Sequence, residues 1–355
     1  MILFCVLLLA CAQVSASPCL LRNRTKRQSS SKCPSCASPQ CAPKYQIFQG
    51  HTACRPRSPV AVPIEFTEAE KKEILAHHNL LRASVTPPAG DMLLMRWDPE
   101  VEMNARRMSE ACQRNEKGEF VHDTVRFIPG RFSLGQNMAW NYPNIHKAID
   151  DWYGEKVYYN PLFGRQLDSL PSDKEIGHYI QIAWAATSQL GCAGTICDKT
   201  RFFVCEYGRG GVVLPFTSPY TRTNNRGDLC KKKTADGLCD CGDLICENQS
   251  KINVTTCTCK CGVMNTVLEE PNCEINCSKP AGKYCGTQKS FMATDCQMPY
   301  MISACPHLCG VCPCAEKSYV GTRCSSRSDR IASSRVERIC TWMSAVFLLA
   351  LTLRN

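Results

Sequence analysis

The sequence lacks the short motifs of two large hydrolase classes. It contains no Gly-x-Ser-x-Gly, which excludes a nucleophile elbow, and no His-Glu-x-x-His, which excludes the helix of a zincin metalloprotease. The adjacent His77 and His78 also lack the i, i+4 spacing of a helical metal site. Long apolar runs are missing too, because Ile2–Ala12 and Trp342–Leu353 are both too short to cross a membrane as helices. These absences disfavour a hydrolase and a membrane-spanning protein.

Cysteine, in contrast, is abundant, with 28 among 355 residues. Thiols stay reduced in the cytosol, so this count indicates an exported, oxidised protein. Eleven cysteines lie between Met1 and Cys205, and 16 lie in the shorter stretch from Cys230 to Cys324. Because 44% of the residues are hydrophobic, the chain can form one domain around an apolar core, followed by a region that depends on disulfides.

The amino-terminal segment has the pattern of a signal peptide. Residues 1–16 combine a short apolar run with small residues at Val14-Ser15-Ala16, the expected cleavage spacing. The basic tetrapeptide Arg24-Thr25-Lys26-Arg27 is typical of sites cut by furin-like processing proteases. We therefore expect a propeptide over residues 17–27 and a mature chain that starts at Gln28.

The carboxyl-terminal segment has the layout of a GPI-anchor signal, in which small residues precede a polar spacer and an apolar tail. Ser333 and Ser326 are the candidate attachment residues, and residues 334–355 would be removed. The alternative is an uncleaved hydrophobic end on a secreted protein. Either way we expect an extracellular protein, secreted or held at the cell surface by a GPI anchor.

Removing both ends changes the cysteine and charge counts. It leaves 24 cysteines, an even number as complete oxidation requires, by taking away Cys5, Cys11, Cys19 and Cys340. The net charge falls from +10 to about +4, since the first 27 residues carry four basic residues and no acids and the segment after Ser333 carries a net +2. That charge is too small to indicate a nucleic-acid partner. N-glycosylation is expected in the cysteine-rich part, at the sequons of Asn248, Asn253 and Asn276.

Between the two ends, helix signals come first and strand signals follow. A capping box at residues 67–70, an Asp-Pro start at 98–99 and apolar spacing over 145–152 predict three helices. The runs 178–184 and 202–207 are strand-like. This order predicts an α+β layered domain with a mixed or antiparallel sheet.

The segment before the first helix, residues 28–62, is rich in Ser, Pro and Cys and has no periodic apolar face. We expect an extended arm held by disulfides. Its Cys33 and Cys36 have the spacing of a zinc or redox pair, but no second pair lies at zinc-finger spacing and the compartment is oxidising. Both observations favour disulfides.

Four ordered motifs resemble the CAP superfamily, which groups cysteine-rich secretory proteins, antigen 5 and plant pathogenesis-related proteins. The motifs are His78-Asn79-Leu80-Leu81-Arg82, Gly135-Gln136-Asn137, the signature at residues 177–187, and Phe203-Val204-Cys205-Glu206-Tyr207. The arm's His51-Thr52-Ala53-Cys54 is similar to the antigen 5 branch. The resemblance covers about residues 41–211 and implies an α-β-α sandwich over residues 63–215.

The resemblance also implies a cleft that contains two histidines and two acidic residues. Carried over position by position, these are His122, Glu155 and His178, while the fourth position holds Gln136 instead of Glu. No cofactor is required, although two imidazoles and a carboxylate could hold Zn²⁺, with His122 and His178 as ligands. One histidine could instead act as a general base, or the group could be a hydrogen-bonded cluster that fixes the sheet against the helices.

Two features disfavour catalysis at that cleft. An amide at Gln136 removes a charge and a proton acceptor, which weakens the acid/base alternative most. Oxidised cysteines also leave no thiolate nucleophile. We therefore expect a protein that binds a ligand without transforming it.

The cysteine-rich tail divides into two modules and a linker. Residues 230–273 hold eight cysteines in a loosely EGF-like pattern whose connectivity stays open. Residues 277–312 resemble the ShKT module, named after a sea-anemone potassium-channel toxin. That resemblance implies three pairs, among the 15 connectivities that spacing allows: Cys277 with Cys312, Cys285 with Cys305, and Cys296 with Cys309. Cys314 and Cys324 then pair within the linker 313–333, although an EGF-like ending would compete for Cys312.

Three functions follow in order of preference. The first is a secreted or cell-surface, non-enzymatic protein whose cleft binds a hydrophobic ligand, such as a sterol or fatty acid, or an extracellular protein partner; the lipid is implied by the family. The second is a secreted ion-channel modulator, disfavoured because Pro299 precedes Tyr300 where the toxins place a lysine. The third is a metal-assisted hydrolase, disfavoured by Gln136 and the missing nucleophile.

Overall fold

The structure is a computed structural model that describes residues 41–46, 48–161, 165–166, 175–210, 218–261, 267–279, 285 and 293–312. Several predicted features lie outside these residues: the signal peptide, the propeptide, the Cys33–Cys36 pair, the Cys314–Cys324 pair and the GPI signal. Among the described helices, none has the length and apolarity needed to cross a membrane.

The described elements are mostly short. The helices are α1 Pro43–Gln46, α2 Glu68–Ala83, α3 Pro99–Glu110, α4 Ile145–Gly154, α5 Gly177–Ile182 and α6 Pro299–Ala304. The strands are β1 Ala61–Ile64, β2 Arg96–Trp97, β3 Leu134–Trp140, β4 Tyr159–Asn160, β5 Arg165–Gln166, β6 Gln189–Cys197, β7 Thr200–Gly208, β8 Lys251–Asn253, β9 Thr258–Lys260, β10 Leu268–Glu269 and β11 Glu274–Ile275. Single 3₁₀ turns lie at Thr52–Cys54, Glu155–Tyr158 and Ala293–Gln297.

The three predicted helices are confirmed, and side-chain caps explain where they begin. At α2, the Thr67 hydroxyl oxygen accepts a hydrogen bond from the backbone N–H of Glu70. In return, the Glu70 carboxylate accepts one from the backbone N–H of Thr67 at 2.7 Å. Asp98 caps α3 by accepting two backbone N–H groups, and Asn144 caps α4. Each cap satisfies amide groups that the first helical turn leaves unpaired.

The strand expected at residues 178–184 is wrong, because Gly177–Ile182 forms the helix α5. Four consecutive side chains are buried, those of Tyr179, Ile180, Gln181 and Ile182. A short segment that is buried on all sides has no polar face, so its sequence cannot distinguish a helix from a strand. The helical turn matters for the site because it sets the direction of His178.

The main sheet has five strands and is mixed. Strand β6 lies in its middle, with β7 on one side and both β1 and β2 along the other. β3 pairs with β7 and forms an edge, and only β2 runs parallel to its neighbour. The antiparallel register places Gln136 of β3 directly opposite Glu206 of β7.

Helices cover both faces of this sheet. Successive residues of a strand face opposite sides. On one side, Phe202 and Val204 of β7 share a core with Met108 of α3. On the other, Phe203 packs in a larger core with Trp152 of α4 and with residues of α2 and α5. The α-β-α sandwich is therefore confirmed.

The second half of the arm is packed against the sandwich instead of extended. Tyr45, Phe48 and His51 are all at least 98% buried, and the Cys41–Cys54 disulfide closes the segment between them. The His51 Nε2 lies 2.7 Å from the carbonyl oxygen of Phe127. Strand β1 also crosses the expected boundary between arm and sandwich at residue 62.

Disulfides connect every described cysteine of the tail. The eight cysteines of residues 230–273 pair as Cys230–Cys239, Cys241–Cys257, Cys246–Cys259 and Cys261–Cys273. The next six pair as Cys277–Cys312, Cys285–Cys305 and Cys296–Cys309, the connectivity that the ShKT resemblance implies. Short loops closed in this way lose conformational freedom in the unfolded chain, which stabilises small modules.

Polar contacts attach the tail to the sandwich. Arg209, just after β7, donates to the carbonyl oxygens of Gln249 and Ser250. Asn248 is 7% exposed, and its Nδ2 donates to the carbonyl of Cys273 at 2.7 Å. This contact argues against the expected N-glycan at Asn248, because the nitrogen that would carry the sugar is buried. Asn253 on β8 is exposed and has no such obstacle.

Candidate functional site

The four residues predicted for the cleft, His122, Gln136, Glu155 and His178, form what we call the histidine site. Glu155 follows the last residue of α4, and His178 is the second residue of α5. The His178 Nδ1 lies 2.6 Å from Glu155 Oε1, while Glu155 Oε2 accepts the backbone N–H of Tyr179 at 3.0 Å. One carboxylate therefore caps α5 and orients the imidazole. The His178 side chain is 24% exposed, so a ligand can reach it.

His122 and Gln136 form the second pair of the histidine site. The His122 Nδ1 lies 2.7 Å from the Oε1 of Gln136. His122 is exposed, yet desolvation by the surrounding protein lowers its pKa. The hydrogen bond to Gln136 opposes that shift, whereas the positive charge of Arg126 adds to it. His122 is therefore a neutral imidazole at pH 7.

The edge strand β3 brings the two pairs together. Gln136 contacts His122, and the next residue, Asn137, donates from Nδ2 to the carbonyl oxygen of His178 at 3.1 Å. Adjacent strand residues face opposite sides of a sheet, so the two histidines approach from different faces around one open edge.

A buried acidic pair lies beneath Gln136. The Gln136 Nε2 donates to Asp123 Oδ1 at 2.9 Å and to Glu206 Oε1 at 3.1 Å. Asp123 is 2% exposed and also accepts from the Thr52 hydroxyl, while Arg126 lies 3.5 Å from it. The Gln136 amide thus uses both donors on carboxylates and its oxygen on His122. A glutamate at residue 136 would face these two acids with no proton to donate.

Glu206 is the most deeply buried acid of the cluster. It has no exposed surface, and its Oε2 has no hydrogen-bond partner within the described residues. Burial, with the nearby charge of Asp123 adding to it, raises the pKa of Glu206 well above its usual value. Burial therefore favours the neutral carboxylic acid form of Glu206. In that form the pair with Asp123 does not carry two buried negative charges.

Sequence reasoning missed Asp123 and Glu206, although a signal for each was present. Asp123 directly follows His122, and Glu206 lies within the motif at residues 203–207. In a strand that alternates between two faces, Glu206 shares its face with Phe202 and Val204, which are apolar. A carboxylate at such an inward-facing position needs a partner, and the cross-strand neighbour Gln136 supplies it.

The histidine site offers two nitrogen ligands for a metal ion, those of His122 and His178. Zinc sites with catalytic function use three protein ligands. No group of three His, Cys, Asp or Glu side chains that could hold a metal occurs in the part of the chain that the structure describes. Gln136 occupies the place where the resemblance implies a carboxylate. The donor set therefore does not fit such a zinc centre.

Comparisons with known proteins identify the family. Residues 75–207 match the family model described as CAP, the cysteine-rich secretory protein family. A cysteine-rich venom protein of Conus textile is 30% identical over 286 residues, covering 76% of this chain and 89% of the relative. The chain belongs to the CAP family. Venom allergen 3 of Solenopsis invicta is 35% identical over 199 residues, covering 46% of this chain and 80% of the allergen.

The alignment with the cone-snail relative reaches beyond the CAP domain. A share of 76% of this chain exceeds residues 1–215, so the alignment includes part of the cysteine-rich tail. Among solved structures, the crystal structure of Na-ASP-1 is 28% identical and covers 49% of this chain and 48% of that chain, with a TM-score of 0.39. That score is too low to support an argument about this protein. Both of these curated relatives are named as venom proteins.

Proposed function

We propose that this CAP protein is a secreted, non-enzymatic binding protein whose histidine site accepts a hydrogen bond from the hydroxyl group of an apolar ligand such as a sterol. One observation supports the proposal most directly. Each imidazole is held at Nδ1 by an oxygen acceptor, Gln136 Oε1 for His122 and Glu155 Oε1 for His178. In the neutral His122 ring, Nδ1 then carries the hydrogen and Nε2 keeps its lone pair. That free lone pair suits a ligand that donates.

The surroundings of the site favour binding over catalysis. Every described cysteine is in a disulfide, so none supplies a thiolate within that part of the chain. Two acids, Asp123 and Glu206, accept hydrogen bonds from the Gln136 amide, whose oxygen contacts His122. They hold the amide in place and thereby orient His122.

Sterol binding can be tested with two ligands that differ by one donor. Cholesterol carries a hydroxyl group, whereas cholesteryl methyl ether has the same apolar body without the O–H. We expect cholesterol to bind about tenfold more tightly, and His122→Ala to reduce that preference to near unity, since one hydrogen bond is worth about 1.4 kcal/mol. His146→Ala, at the other end of α4, is the control and should bind like the wild type.

The outcomes of this experiment separate the candidate ligands. Equal binding of both sterols would contradict recognition of the hydroxyl group. Binding of palmitate in place of cholesterol would favour a fatty acid, and binding of neither would favour a protein partner. Turnover of any substrate that disappears in His122→Ala or His178→Ala would overturn the non-enzymatic assignment.

Channel modulation is a second candidate, favoured by one surface of the ShKT-like module. Met298 and Tyr300 are 38% and 53% exposed at the start of α6. Two such apolar side chains could contact a membrane protein, although Pro299 replaces the lysine that plugs a pore. If the module blocks potassium currents, Tyr300→Ala should abolish the block.

Anchoring of the protein to the cell surface through Ser326 or Ser333 stays a prediction. It is tested by release of the protein from cells with a phosphatidylinositol-specific phospholipase.

A further inference from the structure

A second pair of histidines lies at the opposite end of α4 from the histidine site. His77 of α2 and His146 of α4 are stacked, with ring centroids 5.4 Å apart and planes inclined by 25°. Their Nδ1 atoms are 3.2 Å apart. His146 and Glu155 are nine residues apart, about 13 Å along a helix, so this pair is distinct from the histidine site. Both side chains are partly exposed.

Asp150 determines which nitrogen of His77 carries a hydrogen. Its Oδ1 lies 3.1 Å from the Nε2 of His77, one turn along α4 from His146. A carboxylate accepts, so Nε2 donates, and the Nδ1 of the neutral ring keeps its lone pair. His146 then donates its Nδ1 hydrogen to that lone pair. The two imidazoles thus share a single proton on a line between their Nδ1 atoms.

The contact with Asp150 suits His77 to act as a metal ligand. A carboxylate that accepts the second N–H of an imidazole is the usual support of a metal-bound histidine, since it fixes the ring and makes it more basic. Asp150 already occupies that position.

The spacing of the two nitrogens matches that of two ligands on one ion. With metal–nitrogen bonds of about 2.1 Å, two ligands are about 3.0 Å apart at a right angle and about 3.4 Å apart at the tetrahedral angle. The observed 3.2 Å lies between these values. An ion bonded to both nitrogens would lie to one side of the line that joins them, so each ring must tilt to direct its lone pair at the ion.

We propose that His77 and His146 form a surface site for a divalent transition-metal ion, held by their two Nδ1 atoms and completed by water. Imidazole ligands suit Cu²⁺, Ni²⁺ and Zn²⁺, and Cu²⁺ binds most tightly to a given nitrogen site. Water must complete the coordination, because the described residues contain no third His, Cys, Asp or Glu ligand placed for a metal. Asp150 orients His77 from outside the coordination sphere.

The test is a titration of the untagged full-length protein with CuCl₂, NiCl₂ and ZnCl₂ at pH 7.5, followed by calorimetry. We expect one ion to be bound by His77 and His146, with Cu²⁺ the tightest and an electron paramagnetic resonance spectrum showing two nitrogen ligands. His77→Ala and His146→Ala should each weaken Cu²⁺ binding at least tenfold. Asp150→Asn, which still fills the space but accepts more weakly, should weaken it about tenfold.

The matched control is the double variant His122→Ala/His178→Ala, which removes both imidazoles of the histidine site. It should keep the wild-type Cu²⁺ affinity. The proposal would be overturned if metal binding survived His77→Ala and His146→Ala, or if only the control variant lost it. The more conservative His146→Gln, checked by circular dichroism, separates loss of a ligand from loss of the fold: a folded variant with unchanged affinity would also refute the site.

Discussion

The CAP domain and the cysteine-rich tail of this protein are held together by different means. In the CAP domain, one core joins α2, α4 and α5 to the sheet and includes Ile149, Trp152 and Phe203. In the tail, the buried clusters are small and consist largely of cysteine side chains. Seven of the ten described disulfides join residues between Cys230 and Cys312. Where the chain cannot bury enough apolar surface, cross-links replace it.

The largest effect on stability is expected from replacing a buried arginine of the CAP domain. Arg82 is fully buried, and its guanidinium donates to five backbone carbonyl oxygens, those of Leu93, Ile182, Trp184, Ala185 and Thr187. Arg82→Met removes these bonds, and only the oxygens of Trp184 and Ala185 keep a backbone donor, so it should lower the free energy of unfolding by about 4 kcal/mol or more, measured by urea denaturation. The exposed Arg201→Met is the control, with an expected change below about 0.5 kcal/mol. A loss below 1 kcal/mol for Arg82→Met would show that packing alone holds the domain.

Two disulfides that close loops of equal length allow a direct comparison of how far each region depends on a disulfide. Cys192–Cys205 in the CAP domain and Cys296–Cys309 in the tail both have a sequence separation of 13. Chain entropy therefore assigns each about 3 kcal/mol. Replacing Cys192 and Cys205 by alanine should leave the CAP domain folded but less stable. Replacing Cys296 and Cys309 by alanine should unfold residues 277–312 locally.

Limited proteolysis with mass spectrometry distinguishes these two results. New cleavage sites should appear only within residues 277–312 of the Cys296→Ala/Cys309→Ala variant. Cleavage throughout the CAP domain of Cys192→Ala/Cys205→Ala would contradict the comparison, since it would make that domain equally dependent on its sulfur bridge.

A smaller, pH-dependent effect is expected beneath the histidine site. Gln136→Glu places a third carboxyl group beside Asp123 and Glu206, where the amide now donates to both. We expect a loss of about 1–3 kcal/mol in the free energy of unfolding at pH 7. Like charges raise the folded-state pKa values of acids, so the penalty should be absent below about pH 4 and should grow as pH rises. Urea denaturation at pH 4 and pH 7 measures it.

The double variant Gln136→Glu/Glu206→Gln is the control for that experiment. It exchanges the acid and the amide between two directly opposed positions, so one carboxyl group and one amide remain. Stability at pH 7 should recover by at least half of the loss. No recovery would mean that the amide is needed at residue 136 for its contact with His122, and not for the charge balance.

Much of the CAP domain could be predicted from local signals. The caps at Thr67 and Asp98 mark helix starts because a side-chain oxygen next to the first turn satisfies amides that are close in sequence. Four ordered motifs indicated the family, and with it the histidine site. The helix α5 was mispredicted as a strand, since its burial on all sides removed the periodic signal that separates the two.

The sequence by itself determined where helices begin, that the tail depends on disulfides, and which histidines belong to the family's cleft. Tertiary structure alone decided that Glu206 lies opposite Gln136, and that His77 meets His146 across 69 residues of chain. The physical reason is the distance along the chain over which each interaction acts. Caps and cysteine spacing act between neighbours, whereas a strand register or a contact between two helices exists only after the core has packed.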